Sequence, residues 1–174
     1  NAMAQGRVFV DGGIGARGMT MTKHNPRFEP PELWVLGSAG DYFAEFMAGG
    51  TAVVCGHDPH NPDNVLGFRP CVGMVGGRIF VRGNHHGFSQ ADARLQDMGR
   101  DQWDWLTANL KLFLERIGRE ELYDTLAVPS DWQLIVARTP YEKVGRPRRG
   151  MDEFFSQVWE AELGPGGLIG DLTD

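Results

Sequence analysis

Cysteine is scarce in this chain: Cys55 and Cys71 are the only two in 174 residues. They are too few and wrongly spaced for a zinc site or a disulfide framework. They read instead as free, buried thiols of a reducing compartment. Long apolar runs are missing as well. No stretch approaches the ~20 residues of a membrane span, and no signal peptide opens the chain. With a mean hydropathy of -0.32 and 41% hydrophobic residues, the expectation is a soluble, cytoplasmic, globular protein. Positive charge is in deficit, with 17 Lys and Arg against 23 Asp and Glu for a net -6, which argues against a nucleic-acid surface. The one basic cluster, Arg146-Pro147-Arg148-Arg149, reads as a solvated loop. Signatures of chemistry are missing too: there is no G-x-S-x-G, no P-loop, no H-E-x-x-H and no cysteine set for an iron–sulfur cluster. Asn1 and Ala2, ahead of Met3, read as the remnant of a cleaved tag.

What the chain has in excess is glycine, 24 residues against a usual share of ~7%. Sixteen of them lie in residues 1–87 and eight in 88–174, so the halves obey different physics. Three heptapeptides align without gaps: Gly6–Gly12, Gly50–Gly56 and Gly77–Gly83. The last two belong to a longer unit in which Gly40–Gly56 matches Gly67–Gly83 at an offset of 27. Gly40/Gly67, Met47/Met74, Gly49/Gly76, Gly50/Gly77, Val54/Val81 and Gly56/Gly83 are identical. Each unit holds a short run of Val, Ile and Phe, which is a strand by propensity, between glycines that let the chain turn through positive φ. The first interval is 44 residues, long enough to hide an extra turn of chain near Met19–Thr22 or Leu33–Leu36. Strands recurring at a fixed length of chain are what a parallel solenoid requires. Val54 and Val81 should then lie one above the other, about 4.8 Å apart.

Gly37-Ser38-Ala39-Gly40, Met47-Ala48-Gly49-Gly50 and Gly73 through Gly83 carry a family likeness. The pattern resembles the glycine-repeat (GXGXG) domain at the carboxyl end of the glutamate synthase large subunit, over about residues 6–87. A subunit of formylmethanofuran dehydrogenase has a similar repeat. The sequence departs from the pattern with Phe46 where the next unit has Gly73, and with the Pro-rich insert His57–Pro62. The resemblance implies a right-handed single-stranded parallel β-helix over residues 3–87; the residues beyond it, 88–174, read as a mostly helical region. It also implies a non-catalytic scaffold subunit of a glutamate-synthase-like oxidoreductase, with no cofactor and no catalytic residue on this chain. FMN and an iron–sulfur cluster would sit on partner subunits, one a flavin-binding synthase and one glutaminase-like. The product is left open, an N-substituted glutamate being one possibility. Two alternatives stay open: a stand-alone protein binding a small molecule or metal between solenoid and helices, and a subunit of a formylmethanofuran-dehydrogenase-like enzyme. Self-association of the chain is open too.

Two features invite a sharper reading. Gly13-Ile14-Gly15-Ala16-Arg17-Gly18 matches G-x-G-x-x-G after a strand, but the following Met19-Thr20-Met21-Thr22 makes a poor helix, so the glycines read as corners and not as a dinucleotide cradle. His57, His60, His85 and His86 fall in two clusters that the offset of 27 would bring to one edge, with Asp58 near. Without diagnostic ligand spacing they read as surface loop residues, and a metal there stays open.

The second half changes period. Gln90–Met98 reads as a short helix ending at Gly99, and Asp101–Ile117 as a long one. In the long one Trp103, Leu106, Leu110, Phe113, Leu114 and Ile117 share a face, Asp101 caps the start and Gly118 closes the end. Glu120–Leu126 reads as a short helix, Trp132–Arg138 as a strand, and Asp152–Leu163 as a last amphipathic helix before the flexible tail Gly164–Asp174. The long helix is expected to cap the solenoid's open end; its apolar stripe could instead hold a partner.

Overall fold

A computed structural model describes residues 2–144. Six strands form one sheet: β1 (Arg7–Val10), β2 (Glu32–Val35), β3 (Ala48–Val54), β4 (Gly76–Arg82), β5 (Ala93–Gln96) and β6 (Trp132–Ala137), in the spatial order β1-β2-β3-β4-β6-β5. The first three pairings are parallel, and those of β6 with β4 and with β5 are antiparallel. The glycine-bounded runs do become parallel strands, with β3 and β4 side by side and β1 one strand further away. Val54 pairs with Val81 at the 27-residue offset, and Thr51 with Arg78. The long first interval holds one further strand. Arg7 pairs with Glu32 and Glu32 with Thr51, so Leu33–Val35 is the hidden step.

Alternation along the strands divides the core into two clusters, one on each face. Leu33, Val35, Ala52, Val54, Ile79, Val81 and Ile135 point to the first face. Trp34, Val53, Phe80 and Leu134 point to the second. The second face is covered by α1 (Arg100–Ile117), whose Leu106, Leu110, Phe113 and Leu114 are fully buried. Burial of each contributes about 1.5–3 kcal/mol. Aromatic rings weld the two layers: Phe113 lies 5.5 Å from Trp34 and 5.6 Å from Phe9, and Trp105 stacks 5.4 Å from Phe80. The helix ends as its sequence suggests, on Gly118 at φ 69°, with the Arg119 amide bonded to Leu114 O. Its start is capped by Gly99 without a side-chain bond, and Asp101 lies in the first turn.

The first face is covered by the segments that link the parallel strands, through Met19, Phe43, Ala44, Met47, Leu66, Cys71 and Met74. These linkers stack on one another. Arg17 N donates to Asp41 O, Met21 N to Glu45 O, Tyr42 N to Phe68 O and Phe46 N to Val72 O, all between 2.8 and 3.0 Å. Their backbone alternates in hand. Arg17, Met19 and Met21, then Tyr42, Ala44 and Phe46, then Arg69, Cys71 and Gly73, all have φ between 51° and 69°. A residue in the left-handed region every second position is incompatible with a β-strand.

That alternation overturns the expected architecture. The chain is not a right-handed parallel β-helix with a separate helical region: one open, mixed six-stranded sheet runs through both halves, and among the described residues the linkers contribute turns and no further strands. Antiparallel β6, followed by β5, ends the parallel stacking at β4. The long helix accordingly covers a sheet face and not the end of a stack. The expected helix over Gln90–Met98 is replaced by β5. One helical turn starts, with Ala93 N bonded to Ser89 O, but the Asp92 carboxylate is spent on Ser89 Oγ and Gly73 N. Pairing with β6 then extends the chain, tertiary contact overriding a weak local propensity.

The expected strand at Trp132 is β6, and Glu120–Leu126 forms a 3-10 turn plus α2 (Tyr123–Leu126). A second unit begins at Pro140, its described helix being α3 (Pro140–Val144). The helix expected at Asp152–Leu163, the tail after it and the Arg146–Arg149 cluster lie outside the described residues. No helix among the described residues is long and apolar enough to cross a membrane.

The glycine pairs between β3 and β4 are backbone-determined for different reasons. A Cβ on Gly76 would sit 2.3 Å from Ala48 O, and Gly77 has φ +88° with a Cβ site 2.5 Å from Met47 Cε. Gly76→Val and Gly77→Val should each lower the free energy of unfolding by more than about 2 kcal/mol. Gly15→Ala, with nothing within 4 Å, should change it by less than about 0.5 kcal/mol. Urea denaturation of the three variants checks this; equal midpoints would refute the packing argument.

Candidate functional site

Among the described residues the sheet has two edge strands, β5 at one end and β1 at the other. An open groove of about 430 Å³ runs beside β1. Val8, Val10 and Leu33 form the strand wall, Ile14 through Met19 and Thr22 the turn wall, and Met3 closes one end. Val8 is 43% exposed although its alternation points it toward the first-face core. Thr22 braces the turn wall, its hydroxyl donating to Gly49 O at 2.7 Å.

The G-x-G-x-x-G residues line this groove, but they do not build a dinucleotide site. Residues 16–21 are turn and not the opening of a helix, so no helix N-terminus is presented to a pyrophosphate. Each glycine has a packing reason or none. A Cβ on Gly13 would come 3.1 Å from Ser38 O, one on Gly18 would strike Ile14 and the Phe43 ring, and Gly15 is open. Met3, Val8, Val10 and Leu33 were not singled out by their sequence. Their shared position depends on β1 being an edge, which no local pattern reveals.

The four histidines lie in bends and loops just past β3 and β4. His57 Nε2 lies 3.5 Å from the Asp58 carboxylate, His60 N donates to Ser38 Oγ, and the His85 ring bonds Gly83 O at 3.2 Å. His86 N contacts Asn64 Oδ1 at 3.4 Å, Asn64 tying two loops together. Among the described residues, no three His, Cys, Asp or Glu side chains come together in a way that could hold a metal ion.

Two departures from the repeat acquire a physical meaning. Phe46, replacing glycine, lies on Gly73 of the next unit, where a Cβ would sit 2.3 Å from the Phe46 ring. The glycine of one unit therefore makes room for the phenyl of the other. The Pro-rich insert is a run of bends and turns held back to the core unit by Ser38. On the second face Arg78 is half-buried, its guanidinium 4.5 Å from the Trp105 ring and its Nε donating to Thr51 Oγ1. Burial lowers its pKa, partly countered by Glu32. It glues sheet to helix.

Cys55 and Cys71 are both free and buried. Burial pushes each thiol up to about 12, opposed at Cys55 by Arg82 and reinforced at Cys71 by Asp92. Neither is a thiolate at neutral pH, so neither is a ready nucleophile. Because the folded value is raised, the neutral thiols favour the fold below pH 9.0 and that contribution is lost as pH rises from 9.0 toward about 12. The urea midpoint of the wild-type chain should fall through this window more steeply than that of the Cys55→Ala, Cys71→Ala chain. Parallel slopes would show that the thiols ionise freely in the folded state.

No protein-family model matches the chain, and no curated protein matches it.

Proposed function

We propose that this chain is a non-catalytic structural subunit of a glutamate-synthase-like oxidoreductase complex, in which ammonia or an amine is assimilated into glutamate. The observation that carries this reading is what the resembling residues do. Gly49, Gly50, Gly76 and Gly77 lie within the β3–β4 pairing, where a Cβ on Gly76 would collide with Ala48 O and one on Gly77 would come 2.9 Å from Gly50 O. Gly40 and Gly67 repeat this contact in the linkers, with the Gly67 Cβ site 2.5 Å from the Gly40 carbonyl carbon. The motif is thus spent on bringing backbones together, which suits a chain that supplies form to an assembly. The buried thiols support the same reading, since amidotransfer from glutamine needs an accessible nucleophile of low pKa. In this proposal a flavin-binding synthase subunit and a glutaminase-like subunit carry the chemistry, with FMN and the iron–sulfur cluster on those chains.

Purification of the chain from its native host at its natural abundance tests this. A co-eluting partner with flavin absorbance and glutamate-forming activity is expected. The chain by itself should be colourless and release no ammonia from glutamine. Elution without a flavin-bearing partner, or with a molybdenum or tungsten enzyme, would replace the proposal.

A further inference from the structure

We propose that two copies of this chain pair through β1, antiparallel about a two-fold axis at Phe9, joining their sheets into one. The inference rests on β1 alone and stands whether or not the proposed complex exists.

The backbone of β1 has a free side among the described residues. Gly6 O, Val10 O and Gly12 O accept from Glu32 N, Leu36 N and Gly37 N. Even-numbered residues of β1 therefore bond toward β2, and alternation turns the N–H and C=O groups of Arg7 and Phe9 outward, with Asp11 in the bend just past the strand. A row of unpaired groups of this kind is a template for another strand.

The side chains of those residues choose the strand. Arg7, Phe9 and Asp11 all project to the α1 face: Phe9 meets Phe113, Arg7 reaches Glu32 at 3.2 Å, and Asp11 reaches Arg119 at 3.3 Å. With Phe9 opposite Phe9 of the second copy, Arg7 falls opposite Asp11 of the second copy, and the symmetry repeats the ion pair. The Arg7 and Asp11 side chains are 46% and 48% exposed, so each keeps an open side beside its internal partner. In this register the outward N–H and C=O of Phe9 bond those of Phe9 of the second copy. On the other face the exposed Val8 falls opposite Val10 of the second copy, beside the apolar groove wall. Shifting the axis to Val8 or Val10 separates the charges, and a slip between these would put apolar residues against the charged face. Charge complementarity thus commits the edge to a second copy in one register.

Analytical ultracentrifugation of the full chain, with its salt dependence, tests the pairing. The wild-type chain should form a dimer at micromolar concentration. Arg7→Glu and Asp11→Arg, each placing like charges opposite one another twice, should weaken self-association at least about tenfold. An equimolar mixture of the two variants should recover dimers containing one of each, because both cross-strand pairs are again opposite in sign. A merely destabilised fold would not be rescued by mixing. Hydrogen exchange on the unsubstituted chain gives an independent readout: the Phe9 amide should be protected at high concentration and exchange freely on dilution. A wild-type monomer at about 100 μM, single variants that associate as tightly as wild type, folded variants that do not recover on mixing, or concentration-independent exchange would each overturn the proposal.

Discussion

The close approach of backbone to backbone between β3 and β4 is the constraint on which the rest of this structure depends. A Cβ at Gly76 would collide with Ala48 O, and Gly77 takes a conformation that L side chains rarely adopt. This contact lets the ladder absorb its one irregularity, between the pairs Ala48/Gly76 and Thr51/Arg78. Beyond it the 27-residue register is regular to Val54/Val81. That register places Val53 and Phe80 on one face and Val54 and Val81 on the other, which decides where α1 docks and which side the linkers cover.

The linkers show what the rest of the chain tolerates for this arrangement. Nine positions in three stacked segments hold left-handed backbone, and eight of them are not glycine. Such conformations cost of order 1–3 kcal/mol each and persist only where surroundings over-determine them. Here the surroundings are the neighbouring linkers, bonded unit to unit, and the buried side chains of Phe43, Met47, Leu66 and Met74. Phe46 seated on Gly73 belongs to the same economy, since one unit's missing side chain is the other's space.

The parts of this arrangement that were legible in the sequence are those set by local rules. Glycines bounding β-branched runs marked β1, β3 and β4, and the repeat offset foretold the parallel register of β3 with β4. The apolar stripe of α1 and its Gly118 terminus followed from helical period. Illegible were the features set by distant partners. Nothing local in Trp132–Ala137 says that it will pair antiparallel with β4, and that pairing is what makes one mixed sheet of two compositionally different halves. The short Ala93–Gln96 segment reads as helix until a partner strand is beside it. Alternating left-handed backbone was equally hidden, because Tyr42, Phe46 and Cys71 are residues that rarely adopt it. The groove and the free edge of β1 are consequences of strand order, so no motif announced them. The histidine clusters and the G-x-G-x-x-G match were visible in the sequence; the histidines stand in bends and loops, and the glycine match lines the groove beside β1.

Cross-strand nuclear Overhauser contacts in the isotope-labelled chain test the central claim, the 27-residue parallel ladder between β3 and β4, most directly. The account predicts parallel-type contacts linking Thr51 with Arg78 and Val54 with Val81, with no close Hα–Hα pairs between these strands. Strong Hα–Hα contacts between them, or contacts at any other offset, would contradict it.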